Sequence, residues 1–274
     1  MIRREGLLQC PICNGNFEKQ EKYLICSNSH CFDIAKTGYV NFCGKQEKGV
    51  YDKELFRARA AVTKGGFFSC LEKQVGSLIG LKTGENKKVV VLDAGCGDGT
   101  LFSRIIKSYQ KKDEITGIGF DLSKEGILLA SKNSKKACWL VADISNIPLK
   151  DSSTDIILNI LSPANYKEFN RVLKKDGVII KVIPNKDYLK ELRVLFSKKE
   201  YSNADIVQLF KENVSWEQEL KVVEEVRIDK SGEMDFVKMT PLAKNANLNN
   251  EKVKGIEKLT VDFTILVGCK SDNR

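Results

Sequence analysis

Four residues near the start of the chain have the types and spacing of a metal site. Cys10 and Cys13 form a C-x2-C knuckle, twelve residues follow, and Cys26 and His30 form a C-x3-H pair. His30 is the one histidine among 274 residues. Zinc takes four soft or borderline donors in a tetrahedron, and two short-spaced pairs joined by a small hairpin supply them. Between the pairs, "FEKQEKYLIC" reads as two short strands around a charged turn, as in a zinc ribbon or finger. Cys31, beside His30, is an alternative fourth ligand; the C-x3-H spacing favours His30. Four protein donors leave no position open for water, so the expected ion is structural, one per chain. A unit of about 40 residues buries too little surface to fold alone, and metal binding contributes on the order of 10–16 kcal/mol of apparent free energy to such units. With the imidazole spent on the metal, histidine-dependent catalysis is excluded by inventory.

The second stretch able to do chemistry is "KVVVLDAGCGDGTLF", residues 88–102. Residues 89–92 are a run of four apolar side chains, the pattern of a buried parallel strand. Asp93, Gly95, Gly97 and Gly99 then make a D-x-G-x-G-x-G turn into a periodic apolar run over 101–106. Glycines let a backbone turn tightly and approach a ligand closely at the mouth of a doubly wound sheet. The pattern resembles motif I of the class I S-adenosylmethionine-dependent methyltransferases. It differs from the G-x-G-x-x-G turn that holds a pyrophosphate at a helix N-terminus. A carboxylate ahead of the glycines suits a ligand with an ammonium group and no phosphate.

The elements that must position these residues follow in order. "ITGIGFD" is a strand ending in Asp121, placed to accept hydrogen bonds from both ribose hydroxyls of a nucleoside. "CWLVAD" ends in Asp143, with Ile144 at the family's adenine-edge position, and "STDIILNILSPAN" ends near Ser162 and Pro163. "LKKDGVIIKVIP" supplies a turn and a further strand; "KEGILLASKN" and "YKEFNRVLK" read as helices between. This alternation predicts an α/β fold, a Rossmann-like doubly wound parallel sheet with helices on both faces. By position "NILSPAN" matches the acceptor loop of amino-methyltransferases, so Asn159, Ser162, Pro163 and Asn165 are expected to line the acceptor site. The D/N/S-P-P-aromatic motif of exocyclic-amine enzymes is not present, and no catalytic base is identified.

Composition fits this reading. Apolar content of 42% and charged content of 30% describe an ordinary soluble protein. No apolar run approaches the roughly 18 residues of a membrane span, and "MIRREGLLQC" lacks the apolar core of a leader. A cytoplasmic protein with no membrane partner is expected. Nine cysteines, odd in number and unevenly spaced, read as thiols or metal ligands rather than a disulfide framework. A formal charge of +9, spread along the chain, suits a polyanionic partner.

Taken together, "CPIC…CSNSH", "CFDIAKTGYVNF", "YDKELFRARAAVTKGGFF", "VLDAGCGDG", "YLKEL", "KMTPLA" and "VDFTILV" resemble the RlmA family, bacterial large-subunit ribosomal RNA guanine-N1 methyltransferases. The resemblance covers nearly the full chain. It implies an N-terminal zinc domain on a methyltransferase domain, S-adenosylmethionine as methyl donor, and a homodimer acting on a hairpin of 23S ribosomal RNA. By position it implicates Phe68, Gly97, Asp98 and Tyr188 in donor contacts. The family often has tyrosine at the first of these places and histidine at the last, where stacking and backbone contacts survive the change. The family divides over which guanine is modified, and one subclass is tied to resistance to some macrolides.

The expected organisation is a zinc-binding domain over 1–45, a linker helix region over 46–85 and a methyltransferase domain over 86–274. "KELFRARAAVTKGGFF" has helical periodicity ended by Gly65 and Gly66, with Arg57 and Arg59 expected on an exposed side to meet RNA phosphates. "LTVDFTILVGCK" reads as a strand suited to a sheet edge. Two other readings stand beside the leading one. A small-molecule (quinone or metabolite) methyltransferase shares the donor motifs but leaves the zinc site and charge unexplained. A non-enzymatic RNA- or ribosome-binding protein with a relic pocket sits poorly with an intact set of Asp93, Gly95, Gly97, Asp121 and Asp143.

Overall fold

The computed structural model describes residues 4–44, 52–83, 88–108, 115–195, 202–229, 232–240 and 255–271. The expected boundaries at 45/46 and 85/86, and 241–243 of "KMTPLA", lie outside the described residues.

The metal-binding segment is a three-stranded antiparallel ribbon of β1 (Phe17–Lys19), β2 (Tyr23–Cys26) and β3 (Cys31–Asp33). Phe17, Phe32 and Phe42 close on one another at ring-centroid distances of 4.9–5.7 Å, a very small apolar core. The chain then runs directly into the main sheet. Val40 and Asn41 form β4 (Val40–Asn41), which pairs in parallel with Leu140 and Val141 of β7 (Ala137–Val141).

That sheet has eight strands in the order β10-β11-β9-β8-β5-β6-β7-β4. Its parallel centre is β5 (Val89–Ala94), β6 (Ile115–Asp121), β7, β8 (Thr154–Ile160) and β9 (Leu173–Pro184). Every residue of β5 is buried, as a continuous apolar run covered on both faces requires. The chain passes from β5 outward to β6 and β7, then jumps back to β8 on the other side of β5. The switch point, and the crevice it opens at the carboxyl ends of the strands, lies between β5 and β8. The Lys-Asp-Gly turn of the sequence appears inside β9 as a bulge: Leu173 faces Thr154 and Val178 faces Ile156, so the residues between bow out of the ladder.

The run expected at a sheet edge is instead internal. β11 (Lys258–Cys269) pairs antiparallel with β9 on one side and with β10 (Ser215–Arg227) on the other, and all but its end residues are buried. Its apolar alternation is a weak guide because helices cover both faces. The edge is β10, whose exposed residues include Glu217, Glu219, Lys221, Glu224, Glu225 and Arg227 beside Trp216 and Val223.

Eight helices are described: α1 (Lys53–Lys64), α2 (Ser69–Thr83), α3 (Thr100–Ser108), α4 (Lys124–Asn133), α5 (Tyr166–Val172), α6 (Lys190–Leu195), α7 (Ala204–Asn213) and α8 (Glu233–Lys238). Asp52 caps α1 by accepting from the Leu55 amide at 3.0 Å, and Gly66 takes a left-handed φ of 90° just after it. Ala58, Val62, Leu71, Val75 and Ile79 of α1 and α2 join Phe102, Ile105 and Trp139 in one apolar layer. The opposite face holds Leu140, Ile147, Phe169 and Phe210, and the ribbon's Leu8 and Leu24 belong to it. Each such side chain contributes about 1.5–3 kcal/mol on burial. The two helices are therefore packed against the sheet rather than strung between units. Among the described residues no helix is long and apolar enough to cross a membrane.

Candidate zinc site and methyl-donor crevice

The four predicted metal donors converge. The ligand atoms of Cys10, Cys13, Cys26 and His30 all lie within 4.8 Å of one another. Cys10 Sγ is 3.6 Å from His30 Nδ1, Cys26 Sγ is 3.4 Å from it, and Cys13 Sγ is 3.6 Å from Cys26 Sγ. Bonds of about 2.3 Å to sulfur and 2.0 Å to nitrogen give tetrahedron edges of about 3.5–3.8 Å. The donor set thus fits zinc, with His30 binding through Nδ1. Cys31 is exposed and outside the cluster, which decides between the two ligand choices. Burial opposes ionisation of Cys26, but the amides of Asn28 and His30 and the neighbouring thiols outweigh it and bring the thiol down to about 6. The amide of His30 donates to its sulfur at 3.3 Å.

The ribbon is docked on the loop that follows β7. Lys150 donates its amide to Leu7 O at 3.0 Å, Gln9 to Pro148 O at 3.2 Å, and Asn146 Nδ2 to Pro11 O at 2.9 Å, inside the metal knuckle. The other side of this loop is held by Arg171, which donates to Ile147 O and Leu149 O at 2.7 Å and pairs with Glu168. The same loop carries Asp143 and Ile144 near its start. Asp143 is exposed at the end of β7 and accepts the Ser145 amide at 2.8 Å.

The crevice itself is ringed by carboxylates. Asp93 is the penultimate residue of β5, Asp121 ends the neighbouring β6, and Asp98 lies in the turn between β5 and α3. Burial, then the carboxylates of Asp121 and Asp98, push Asp93 up to about 8. Its Oδ1 is buried and, among the described residues, has no hydrogen-bond partner. Burial also pushes Asp98 and Asp121 up, while backbone amides and the Arg59 guanidinium pull against it. Asp121 accepts the Gly97 amide at 2.9 Å and the Ser123 amide at 2.8 Å, one on each oxygen, which leaves further lone pairs for hydroxyls. An orphaned acidic oxygen beside one buried and one half-buried carboxylate calls for a cation. A donor with an ammonium, a sulfonium and two ribose hydroxyls fits this arrangement.

The glycines divide their work. Gly95, Gly97 and Gly99 have φ of 85°, 56° and 67°. A Cβ on Gly97 would stand 3.4 Å from the Phe56 ring, and one on Gly95 would stand 2.6 Å from Ser162 Cβ. Gly99 is expected among the donor contacts, yet a Cβ there would strike the Trp139 indole at 2.4 Å, so its smallness serves packing. Cys96, in the same turn, is held protonated, first by burial and then by the three carboxylates, and is no nucleophile.

Phe68 and Tyr188 meet through Phe263, at centroid distances of 6.2 and 4.7 Å. Burial pushes the Tyr188 phenol up, while Arg59 and Arg193 act in the opposite sense. Tyr188 thus shares Arg59 as a neighbour with Asp98 and Asp121, and Phe68 adjoins it through Phe263.

Arg59 corrects the sequence reading. Residues two apart on a helix face nearly opposite ways, so Arg57 and Arg59 do not share a side. Arg57 is exposed; Arg59 is half-buried, donates from Nε to Met239 O at 2.9 Å, lies 6.0 Å from the Phe56 ring centroid and faces the acids. Phe56 and Arg59, at i and i+3, are the face that α1 lays over the glycine turn. That spacing is present in the sequence, but a linker helix offers it no partner.

The predicted acceptor residues also separate. Asn159 is fully buried and lines no surface. Its Nδ2 donates to Ser162 Oγ at 2.6 Å, Pro163 O at 2.8 Å and Ala94 O at 3.1 Å. Asn165 caps α5 by accepting the Glu168 amide at 3.2 Å. Ser162 and the exposed Pro163 remain at the mouth, behind Leu161, which holds a left-handed φ of 52°. One residue that the sequence reading missed is Lys181, in the middle of β9. It is 3% exposed and donates to Asn159 Oδ1 at 2.5 Å. A lysine inside the apolar run "VIIKVIP" was the available signal.

Comparison with known proteins agrees with this geometry. The family model described as RlmA, N-terminal, matches residues 8–49, and the one described as Methyltransferase domain matches 85–229. The chain is 36% identical over 276 residues to "Putative 23S rRNA (guanine-N(1)-)-methyltransferase YxjB" of Bacillus subtilis, covering 97% of this chain and 98% of that one. It is 30% identical over 187 residues to the 23S rRNA (guanine(748)-N(1))-methyltransferase of Streptomyces fradiae, covering 68% and 66%. Among solved structures, a chain from the complex of the Haloferax volcanii Trm112 methyltransferase activator with a methyltransferase shares the fold, at a TM-score of 0.50 and 18% identity, covering 81% of this chain and 99% of that one. A ribbon with four convergent zinc donors and a carboxylate-ringed crevice at the sheet's switch point are thus found together in one chain, which belongs to the RlmA family of 23S rRNA (guanine-N1)-methyltransferases.

Proposed function

We propose that the protein transfers a methyl group from S-adenosylmethionine to N1 of a guanine in a hairpin of 23S ribosomal RNA. The observation that carries the reading is the orphaned, buried Asp93 oxygen among Asp98 and Asp121 beside the glycine turn, a site built for a cationic nucleoside. The donor supplies a sulfonium methyl that is already activated. The chain's task is then to hold donor and acceptor in line. Asp93 faces the ammonium end, Asp121 the ribose hydroxyls, Asp143 and Ile144 the adenine, and Phe56 with Gly97 shapes the floor. Ser162 and Pro163 present the acceptor. Guanine N1 has to lose its proton to attack, and no histidine is free to take it.

The division into a zinc unit (1–45), helical region (46–85) and methyltransferase domain (86–274) belongs to the same reading, as do a homodimer, a cytoplasmic location and a part in macrolide resistance. Arg57 and the ribbon form the RNA-facing side, supported by the exposure of Arg57 and the excess of positive charge. The test is incubation with labelled donor and either unmodified 23S RNA or a metabolite extract. Label in the RNA, with a reverse-transcription stop at one guanine, is expected. Label only in small molecules would favour the metabolite enzyme, and no label at all the relic pocket.

A further inference from the structure

A lysine buried without a carboxylate is costly, because an ammonium loses its hydration and gains no opposite charge. Lys181 is such a residue: it is 3% exposed, and among the described residues it makes no ion pair. A methionine or leucine would fill the same place in β9 without that cost. Burial accordingly brings its amine down to about 8. Its surroundings show what the lysine does there.

Lys181 Nζ donates to Asn159 Oδ1 at 2.5 Å and to Ser162 O at 3.2 Å. An ammonium donates only, so it dictates which end of the Asn159 amide faces it. The oxygen is drawn to Lys181, and the NH2 group is turned towards three acceptors, Ala94 O, Ser162 Oγ and Pro163 O. Ser162 Oγ donates in turn to Ala94 O at 2.7 Å. Ala94 is the last residue of β5 before the donor turn, and the Cβ that Gly95 lacks would lie 2.6 Å from Ser162 Cβ. The two sides of the crevice are therefore fastened to each other through one amide. Without the lysine, the buried Asn159 oxygen and the Ser162 carbonyl lose the donor that ties them both to β9.

We propose that Lys181 is a positioning residue for methyl transfer: by orienting Asn159 and holding the Ser162 carbonyl, it fixes the acceptor loop 161–163 against the donor turn at Ala94 and Gly95. The inference rests on the reading above that this loop receives the guanine. Misplacing reacting groups by about 1 Å costs on the order of 100-fold in rate, and the donor's own contacts are made elsewhere.

The test compares Lys181→Met, Asn159→Leu and the double variant with the wild-type full chain, on unmodified 23S RNA and S-adenosylmethionine. Lys181→Met is expected to lower kcat by on the order of 100-fold, with the KM and calorimetric Kd for the donor within about twofold of wild type. Because both changes break one chain of bonds, the double variant should lose no more than the worse single one. Lys181→Arg, which still donates, should recover part of the rate. Unchanged kcat in folded Lys181→Met, a donor Kd that rises in step with the lost rate, or additive losses would each overturn the assignment. Should Lys181→Met fail to fold, Asn159→Leu carries the test at the buried partner, which reaches no substrate: lost kcat with intact donor binding supports the proposal, and wild-type kcat refutes it. Wild-type turnover of the RNA tests the underlying reading separately.

Discussion

The zinc ribbon and the donor crevice are built on opposite plans. All four metal donors come from residues 10–30 of the chain, and two short spacings bring them together. The crevice gathers Phe56, Asp93, Asp98, Asp121, Lys181 and Tyr188 from five stretches that meet only once the sheet has formed. One site is local and closed by an ion; the other is a by-product of strand order. The difference teaches where each is vulnerable, since the ribbon depends on its metal and the crevice on the register of its sheet. The two are also joined, because the loop bearing Asp143 is pinned by Leu7, Gln9 and Pro11.

The largest effect should come from the metal. Cys26→Ser, or chelation, removes a contribution on the order of 10 kcal/mol or more from the ribbon, and elemental analysis of the wild type should find about one zinc per chain. A finger independent of the crevice would leave donor affinity intact. The shared loop predicts otherwise: calorimetry should show weaker donor binding in the variant, and an unchanged Kd would separate the two regions.

Gly99→Ala comes next. A methyl at φ 67°, 2.4 Å from the Trp139 ring, should destabilise the methyltransferase body by about 3 kcal/mol. Thermal melting should show the loss while zinc content stays at wild type. Asp121→Ala should then weaken donor binding by about 1–3 kcal/mol, partly because the Gly97 amide loses its acceptor. A calorimetric Kd equal to wild type would remove Asp121 from the site.

Proton linkage sharpens the contrast further. Asp93 lies at about 8 without ligand, far above its unfolded value, so between about pH 4 and 8 the folded chain keeps a proton the unfolded chain has released. The stability it lends is full below that window and is lost as pH rises through it. A cationic donor favours the carboxylate and expels the proton. Donor affinity should therefore rise between about pH 6 and 8, by up to about tenfold per unit. Titrations in buffers of different ionisation enthalpy should detect the released proton; pH-independent affinity would contradict this role for Asp93.

The smallest effect separates the two arginines of α1. Arg57→Gln should reduce the slope of log K against log salt for RNA by about one unit and leave donor binding alone. Arg59→Gln should do the reverse. Equal effects on RNA from both would restore the picture of a free basic helix.

Much of this was legible in the sequence, for reasons particular residues make plain. Metal ligation is written in spacing, so the convergence of Cys10, Cys13, Cys26 and His30 is legible in the sequence. Strand ends are marked by an acid at the close of an apolar run, so the positions of Asp93 and Asp121 at the mouth of the sheet are legible. What failed were inferences about facing. Arg59 looked exposed because charge suggests solvent, whereas the acids opposite it are far away in sequence. β11 looked like an edge strand because its neighbour β10 precedes it in the chain and closes over it in space. Asn159 looked like substrate lining because nothing local reveals that Lys181, on the next strand, claims its oxygen.

The two-residue strand β4 bears on how the protein stays in solution. Val40 and Asn41 occupy the outer ladder of β7, and Phe42 donates its amide to Val141 O at 2.9 Å. The opposite border of the sheet is guarded by the charges of β10, but β7 reads Ala-Cys-Trp-Leu-Val and has none. An uncovered, uncharged strand of this kind is a template for strands of other chains. Loss of the zinc ion, by unfolding the ribbon and releasing β4, should thus expose this border to self-association. Metal-free protein should form concentration-dependent aggregates before its sheet melts, and light scattering during chelation should record them.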